Sequence, residues 1–91
     1  MMDMDEFEES IRNNPSYYTL TGFKPRHSTR TIATDLNNIE DAKNKAVEFS
    51  NDYRAIFIYA VDKNNHHALC YTYRDGEFKK VVPKDKKKRK K

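Results

Sequence analysis

Basic side chains are concentrated in the last thirteen residues, where they form the clearest candidate for chemistry with phosphate groups. Nine of them stand there against the single acid Asp85: Lys79, Lys80, Lys84, Lys86, Lys87, Lys88, Arg89, Lys90 and Lys91. This segment carries +8, and the chain's net charge of +4 therefore leaves residues 1–78 at −4, from nine basic and thirteen acidic side chains. Because cations release counterions when they contact phosphates, the segment predicts sequence-independent binding to nucleic acid.

Three other roles stay open for the same basic segment. The run that begins at Pro83 resembles a monopartite nuclear localisation signal, in which a proline precedes a basic cluster. The cations also suit an acidic protein partner, and they suit a tail that only increases solubility. The charge pattern alone does not choose among these roles.

Tyrosines on neighbouring strands form the second candidate. Tyr59, Tyr71 and Tyr73 are expected to lie near one another on a sheet, with Tyr17 as a further candidate, and Arg30, Arg54 and Arg74 are the arginines that could lie beside them. Exposed aromatic rings beside arginines provide a stacking platform for unpaired bases. The alternative is that the same tyrosines pack beneath the N-terminal helix.

The residue types found in metal and thiol sites are present but poorly spaced. His66 and His67 are adjacent, so in an extended chain they point to opposite faces, and a zinc site needs three or four converging ligands. Cys70 falls in the middle of a strand, where cysteine is usually a small buried apolar residue. We therefore expect no metal, no cofactor and no cysteine nucleophile.

Other catalytic patterns are equally weak. The acids fall mostly in the N-terminal segment or on helix surfaces, without an apolar setting that would separate the pKa values of a pair. Gly22 and Gly76 are the two glycines of the chain, too few for a loop that cradles phosphates. We expect a non-enzymatic protein for which a small-molecule substrate is unlikely.

The composition limits the cellular compartments in which the protein is expected. Cys70 is the single cysteine and no secretory signal pattern is evident, so we expect a reducing compartment, cytoplasmic or else nuclear or nucleoid-associated. The longest apolar run, residues 55–61, is far shorter than the roughly 20 residues that cross a bilayer. No membrane association is expected.

The periodicity of apolar residues predicts the elements that position these groups. Met4, Phe7 and Ile11 are spaced as on one face of a short acidic helix within residues 1–14. Strands are predicted at 17–24, 28–34, 54–62, 67–74 and 77–82, the last two joined by a tight turn at Asp75-Gly76. Strict alternation places Leu69 on the same face as Tyr71 and Tyr73.

The second helix has the clearest pattern in the chain. Its apolar residues follow one another at spacings of three and four: Ile39, Ala42, Ala46, Phe49 and Tyr53. Asn38 is the expected N-cap, with Asp41 three residues later, and Ser50-Asn51-Asp52 is the expected end of the helix. The predicted order is α-β-β-α-β-β-β, an α+β fold in which a small, mainly antiparallel sheet carries one helix across a face.

The predicted organisation has three parts: an acidic N-terminal helix or extension at 1–14, one α+β domain at 15–82, and a disordered basic tail at 83–91. The first functional hypothesis is a non-enzymatic nucleic-acid-binding protein. The second is a protein-binding modulator or inhibitor of a host protein, with the tail as an auxiliary. The abundance of Lys, Asn, Asp, Ile and Tyr is typical of AT-rich genomes, as in many small accessory proteins of phages.

Overall fold

The computed structural model describes residues 4–81, with side chains from residue 6. Two helices and five strands follow one another in the predicted order: α1 (Met4–Asn13), β1 (Tyr17–Phe23), β2 (Arg30–Leu36), α2 (Ile39–Phe49), β3 (Ala55–Val61), β4 (His67–Arg74) and β5 (Glu77–Lys80). The α+β prediction is therefore confirmed. The basic tail predicted at 83–91 lies outside the described residues.

The strands form one five-stranded sheet in the order β2-β1-β3-β4-β5, and every neighbouring pair is antiparallel. The most apolar segment of the sequence, β3, occupies the centre. Asp75 and Gly76 have φ angles of 53° and 78°, which the tight turn between β4 and β5 requires. The hairpin predicted at this point is confirmed.

Local capping explains where α2 begins and ends. The side chain of Asn38 accepts a hydrogen bond of 2.9 Å from the backbone N–H of Asp41, as predicted for the N-cap. At the other end the Ser50 hydroxyl donates to the Val47 carbonyl at 2.8 Å. Ala42 and Ala46 are fully buried, so their small side chains let the helix approach the sheet closely.

The acidic segment at the N-terminus forms α1, and this helix packs on β3 and β4. Ile11 is its buried anchor, in a cluster with Ala60, Ala68 and Cys70. Arg12 fixes the docking, because its Nε donates to the Leu69 carbonyl at 2.7 Å.

Both helices lie on the same face of the sheet. The α2 residues Ala42 and Ala46 pack with Ile56 and Ile58. The α1 residue Ile11 packs with Ala60. Ala60 is two residues after Ile58 on β3, so both side chains lie on the same face. Within residues 4–81, neither helix covers the opposite face, which we call the open face.

A β-bulge in β4 overturns the alternation predicted for that strand. Ile58 pairs with Tyr71, but the next residue, Tyr59, pairs with Leu69, so Cys70 is an extra residue in β4. Leu69 consequently lies on the open face, whereas Tyr71 and Tyr73 lie on the helix face with Ile58. The prediction that Leu69 shares a face with the two tyrosines is wrong.

The strand predicted at 28–34 is displaced along the chain. The structure places β2 at Arg30–Leu36, with its first pair between Arg30 and Gly22. The loop before β2 is longer than predicted because Lys24 to His27 form a turn, in which Arg26 has a φ of 70° and the His27 N–H donates to the Lys24 carbonyl.

Candidate nucleic-acid interface

The register of β1, β3, β4 and β5 places the open-face side chains in four rows across the sheet. The rows are Phe23, Ala55, Arg74 and Glu77; then Thr21, Phe57, Thr72 and Lys79; then Thr19, Tyr59 and Leu69; then Tyr17, Val61 and His67. Neighbouring strands lie about 4.8 Å apart, so adjacent members of each row are within side-chain contact range. The rows combine aromatic, hydroxyl and basic groups with one carboxylate, that of Glu77, on one surface.

Four tyrosine or phenylalanine rings lie on this face in the described structure, those of Tyr17, Phe23, Phe57 and Tyr59. Phe57 and Tyr59 are two residues apart on the central strand, which separates their Cα atoms by roughly 6.8 Å. Both are half-buried, and Phe23 at the end of β1 is 38% exposed. Phe23 lies diagonally from Phe57, because its partner on β3 is Ala55. Phe23, Phe57 and Tyr59 therefore follow one another across the open face, and we call this series of rings the aromatic path.

Positive charge borders this aromatic path. Arg74 stands in the row of Phe23, and Lys79 stands in the row of Phe57. Glu77 faces Arg74 across β4 and β5, but no ion pair joins them in the described structure. Both cations are thus available to an anionic ligand.

More cations lie where β1 ends and β3 begins. We call this region the basic end, and it comprises Lys24, Arg26, Arg30, Arg54 and Arg74. The backbone N–H of Arg54 donates to the Phe23 carbonyl at 2.8 Å, which places the backbone of Arg54 beside the end of β1. Ion pairs in the described part involve Arg12, Lys45 and His66, and none involves the basic end. The arginines that the sequence suggested as neighbours of the tyrosines, Arg30, Arg54 and Arg74, converge here.

The structure divides the predicted site residues between the two faces. Tyr59, Arg74 and Lys79 share the open face. Tyr71, Tyr73 and Lys80 lie on the helix face, since Tyr71 pairs with Lys80 beside the α2 side of the sheet. Tyr59 is separated from the other two tyrosines because Tyr71 pairs with Ile58, whose side chain lies on the helix face.

Tyr71 and Tyr73 already have aromatic and cationic partners in the fold. The ring centroids of Tyr73 and Phe78 are 4.4 Å apart. The Lys43 ammonium of α2 lies 4.4 Å from the centroid of Tyr71. These contacts support the alternative in which both tyrosines pack beneath a helix, although the helix is mainly α2 rather than α1.

The remaining predicted basic residues, Lys84, Lys86, Lys87, Lys88, Arg89, Lys90 and Lys91, lie outside the described residues. Their point of attachment is defined, because the Val81 N–H donates to the Cys70 carbonyl at 2.8 Å. The basic segment therefore starts at the edge of the sheet that carries Lys79 and Arg74.

The histidines and the cysteine are engaged separately. His66 Nδ1 lies 3.2 Å from Asp62 Oδ2, and His67 Nδ1 lies 3.1 Å from the Asn65 carbonyl. Cys70 is buried, and burial raises the pKa of its thiol even though the nearby Arg12 opposes the shift. In the part of the chain that the structure covers, no three His, Cys, Asp or Glu side chains converge as metal ligands.

Sequence reasoning missed Phe57 and Phe23. The sequence predicts a strand at 54–62 with apolar residues on both faces, which gives no reason to single out Phe57. Phe57 is nevertheless two residues from Tyr59, so both rings had to share a face in any extended strand. The signal for Phe23 was its position before Lys24-Pro25, at the end of a strand.

Comparison of the chain with protein-family models, curated proteins and solved structures gives no match. Across residues 4–81, the helices are too short and too polar to cross a membrane. The function must therefore be inferred from the open face itself.

Proposed function

We propose that the protein is a non-enzymatic binding protein for single-stranded nucleic acid. The observation that carries this proposal is the pair Phe57 and Tyr59, which lies on the central strand of the face that neither helix covers. Lys79 provides a cation in the row of Phe57, and Arg74 provides one in the neighbouring row of Phe23. Unpaired bases stack on Phe57, Tyr59 and Phe23, while the cations contact the phosphates between them.

The geometry favours a single strand over a duplex. A base must leave its own stack before its flat surface can lie against an aromatic ring, and single strands and loops permit this at little cost. Stacking of this kind tolerates any base, because every base has a π face. The expected binding is therefore weakly dependent on sequence.

The basic tail adds electrostatic attachment to the stacking surface. Residues 83–91 would reach at most roughly 30 Å when fully extended, and β5 lies about 10 Å from β3 across the sheet. The tail can thus contact phosphates of the same strand that occupies the open face. Lysines that contact phosphates without fixed geometry increase affinity but add no base preference.

A fluorescence anisotropy titration with a labelled single-stranded oligonucleotide tests the stacking surface. Phe57→Leu and Tyr59→Leu keep an apolar side chain at each position but remove the aromatic ring. Since stacking contributes about 1–3 kcal/mol per base, the double variant should bind at least about tenfold more weakly. Val47→Ala is the matched control, because Val47 is 51% exposed on α2, away from the open face.

A chain that ends at Val82 tests the tail. Removing seven cations should weaken binding and flatten its salt dependence, by up to about five in the slope of log K against log salt concentration. The Phe57 and Tyr59 effects should persist in this shortened chain. Equal affinity of the full and shortened chains would contradict the role of the tail.

The protein-binding hypothesis predicts a different result. A pull-down from nuclease-treated lysate would then recover a single stoichiometric protein partner, and the loss of residues 83–91 would not prevent its capture. Such a result, together with unchanged oligonucleotide binding by the Phe57 and Tyr59 variants, would replace the nucleic-acid proposal.

A further inference from the structure

A pocket beside the loop between β1 and β2 concentrates hydrogen-bond donors at the basic end. Six residues line this hairpin pocket: Lys24, His27, Ser28, Thr29, Arg30 and Tyr53. Its volume is about 300 Å³. Each of these side chains can donate a hydrogen bond, and no carboxylate belongs to the lining. The composition fits an anionic ligand.

These donors have no protein acceptor in the described structure. Among the residues whose side chains are described, no hydrogen bond or ion pair involves the side chain of any residue that lines the pocket. Their one specific contact is the Lys24 ammonium, which lies 5.3 Å from the centroid of the Tyr53 ring. A ligand that accepts hydrogen bonds would therefore displace no hydrogen bond or ion pair of these side chains within the described structure.

The backbone holds the pocket residues in place from three sides. The His27 N–H donates to the Lys24 carbonyl at 3.1 Å and closes the turn. Arg30 pairs with Gly22 at the first position of β2, and Tyr53 packs against the α2 core. Lys24, Arg30 and Tyr53 are thus attached to the sheet and its core rather than to a long free loop.

We propose that the hairpin pocket binds the terminal phosphate of the nucleic-acid strand that occupies the open face. This inference rests on the proposed function, since Phe23 on the open face directly precedes Lys24 of the pocket. Lys24, Arg30 and Tyr53 lie on the helix side at the end of the sheet, because Arg30 pairs with Gly22 and the ring of Tyr53 lies over Gly22. A strand that follows the aromatic path from Tyr59 through Phe57 to Phe23 must pass over this end of the sheet to bring one of its ends to Lys24 and Arg30.

Charge favours a terminal phosphate over an internal one. A phosphomonoester carries about −1.5 to −2 charges near pH 7, and it offers three acceptor oxygens. An internal phosphodiester carries a single negative charge. Lys24 and Arg30 supply two positive charges, and the guanidinium of Arg30 suits two-point recognition of phosphate oxygens. The pocket thus matches the end group in both charge and number of donors.

The test compares one single-stranded oligonucleotide of about ten nucleotides in three forms, with a 5′ phosphate, with a 3′ phosphate and with hydroxyls at both ends. An internal fluorophore reports binding to the full chain by anisotropy. One of the phosphorylated forms should bind about tenfold more tightly than the hydroxyl form. Inorganic phosphate at high concentration should reduce this preference.

Two variants assign the preference to the pocket. The double variant Lys24→Gln and Arg30→Gln should bind the two phosphorylated forms no more tightly than it binds the hydroxyl form. Lys63→Gln is the matched control, because Lys63 is exposed in the turn at the opposite end of β3, and it should keep the preference. Circular dichroism verifies that each variant is folded.

Equal affinities for the three forms would overturn the inference, and so would a preference that survives in the Lys24 and Arg30 variant. Neither result contradicts the proposed function. The proposed function is contradicted if Phe57→Leu and Tyr59→Leu leave the affinity for the hydroxyl form unchanged.

Discussion

The ring of Tyr53 lies directly over Gly22, on the helix face of β1. A Cβ atom added at Gly22 would stand 2.6 Å from Cε1 and 2.7 Å from Cγ of Tyr53, closer than real carbon atoms approach. Tyr53 follows α2, and Gly22 pairs with Ile56 at the centre of the sheet. The absence of a side chain at Gly22 therefore lets the segment after α2 pack flat against the sheet.

Gly22→Ala should destabilise the protein. In a strand the substitution would by itself gain about 0.4–1 kcal/mol by restricting the unfolded chain. The clash with the Tyr53 ring should cost more, about 1–3 kcal/mol, as in other overpacked cores. Urea denaturation measures the net loss. In a Tyr53→Ala background the loss should disappear, and an undiminished loss there would show that Tyr53 is not the cause.

Arg12→Met should loosen the docking of α1. The substitution keeps much of the apolar stem but leaves the Leu69 carbonyl without its donor, at a cost of about 1–3 kcal/mol. Amide hydrogen exchange should show faster exchange at Ile11, with β3 less affected. Lys45→Met is the matched control, because its ion pair with Glu48 is exposed and contributes at most about 1 kcal/mol. Equal effects of the two substitutions would contradict this role of Arg12.

The turn after β3 should respond to acid through Asp62. The backbone N–H of His66 donates to the Asp62 carboxylate at 2.9 Å and is the main cause that lowers its pKa, with Asn64 and the His66 ring adding to it. Because the folded-state pKa is lowered, the stabilisation is present above the ordinary value near 3.9 and is lost as the pH falls through the folded value.

An NMR titration of the Asp62 carboxyl carbon should show a midpoint below the ordinary value for aspartate. Thermal unfolding of Asp62→Asn should depend less on pH than that of the wild type in the same acidic range. A midpoint at or above the ordinary value would mean that the turn does not stabilise the carboxylate.

Cys70 should react slowly with thiol reagents in the folded protein. Burial is the main cause that raises the pKa of its thiol, so less thiolate is present near pH 8 than in the unfolded chain. We expect modification by a disulfide reagent to be at least about tenfold slower than in urea. Folded stability should also decline as the pH rises from about 8.5 through the raised value, because the unfolded chain loses the thiol proton first. Equal rates in the two states would contradict the burial of Cys70.

Much of the fold could be predicted because local signals agreed with the tertiary structure. The apolar spacing of α2 and its Asn38 cap specify a helix before any packing is considered, and Asp75-Gly76 specifies a tight turn. Tyr53 belongs to the predicted apolar stripe and does join the α2 core, although the helix ends at Phe49. The turn that starts at Ser50 agrees with the helix end predicted at Ser50-Asn51-Asp52.

The faces of β4 could not be predicted because a bulge has no dependable local signature. One extra residue at Cys70 reverses the alternation, so Leu69 and Tyr71 point to opposite sides of the sheet. The sequence also could not show that both helices choose the same face. That choice depends on long-range packing of Ile11 and Ala46, and it creates the open face that carries Phe57.

An NMR titration with a single-stranded oligonucleotide tests the stacking surface most directly. Base stacking should shift the ring proton signals of Phe57 and Tyr59 upfield, while the signals of Tyr73 and Phe78 on the helix face stay in place. Ring shifts confined to Tyr73 and Phe78, or perturbations limited to the basic tail with Phe57 and Tyr59 unmoved, would contradict binding on the open face.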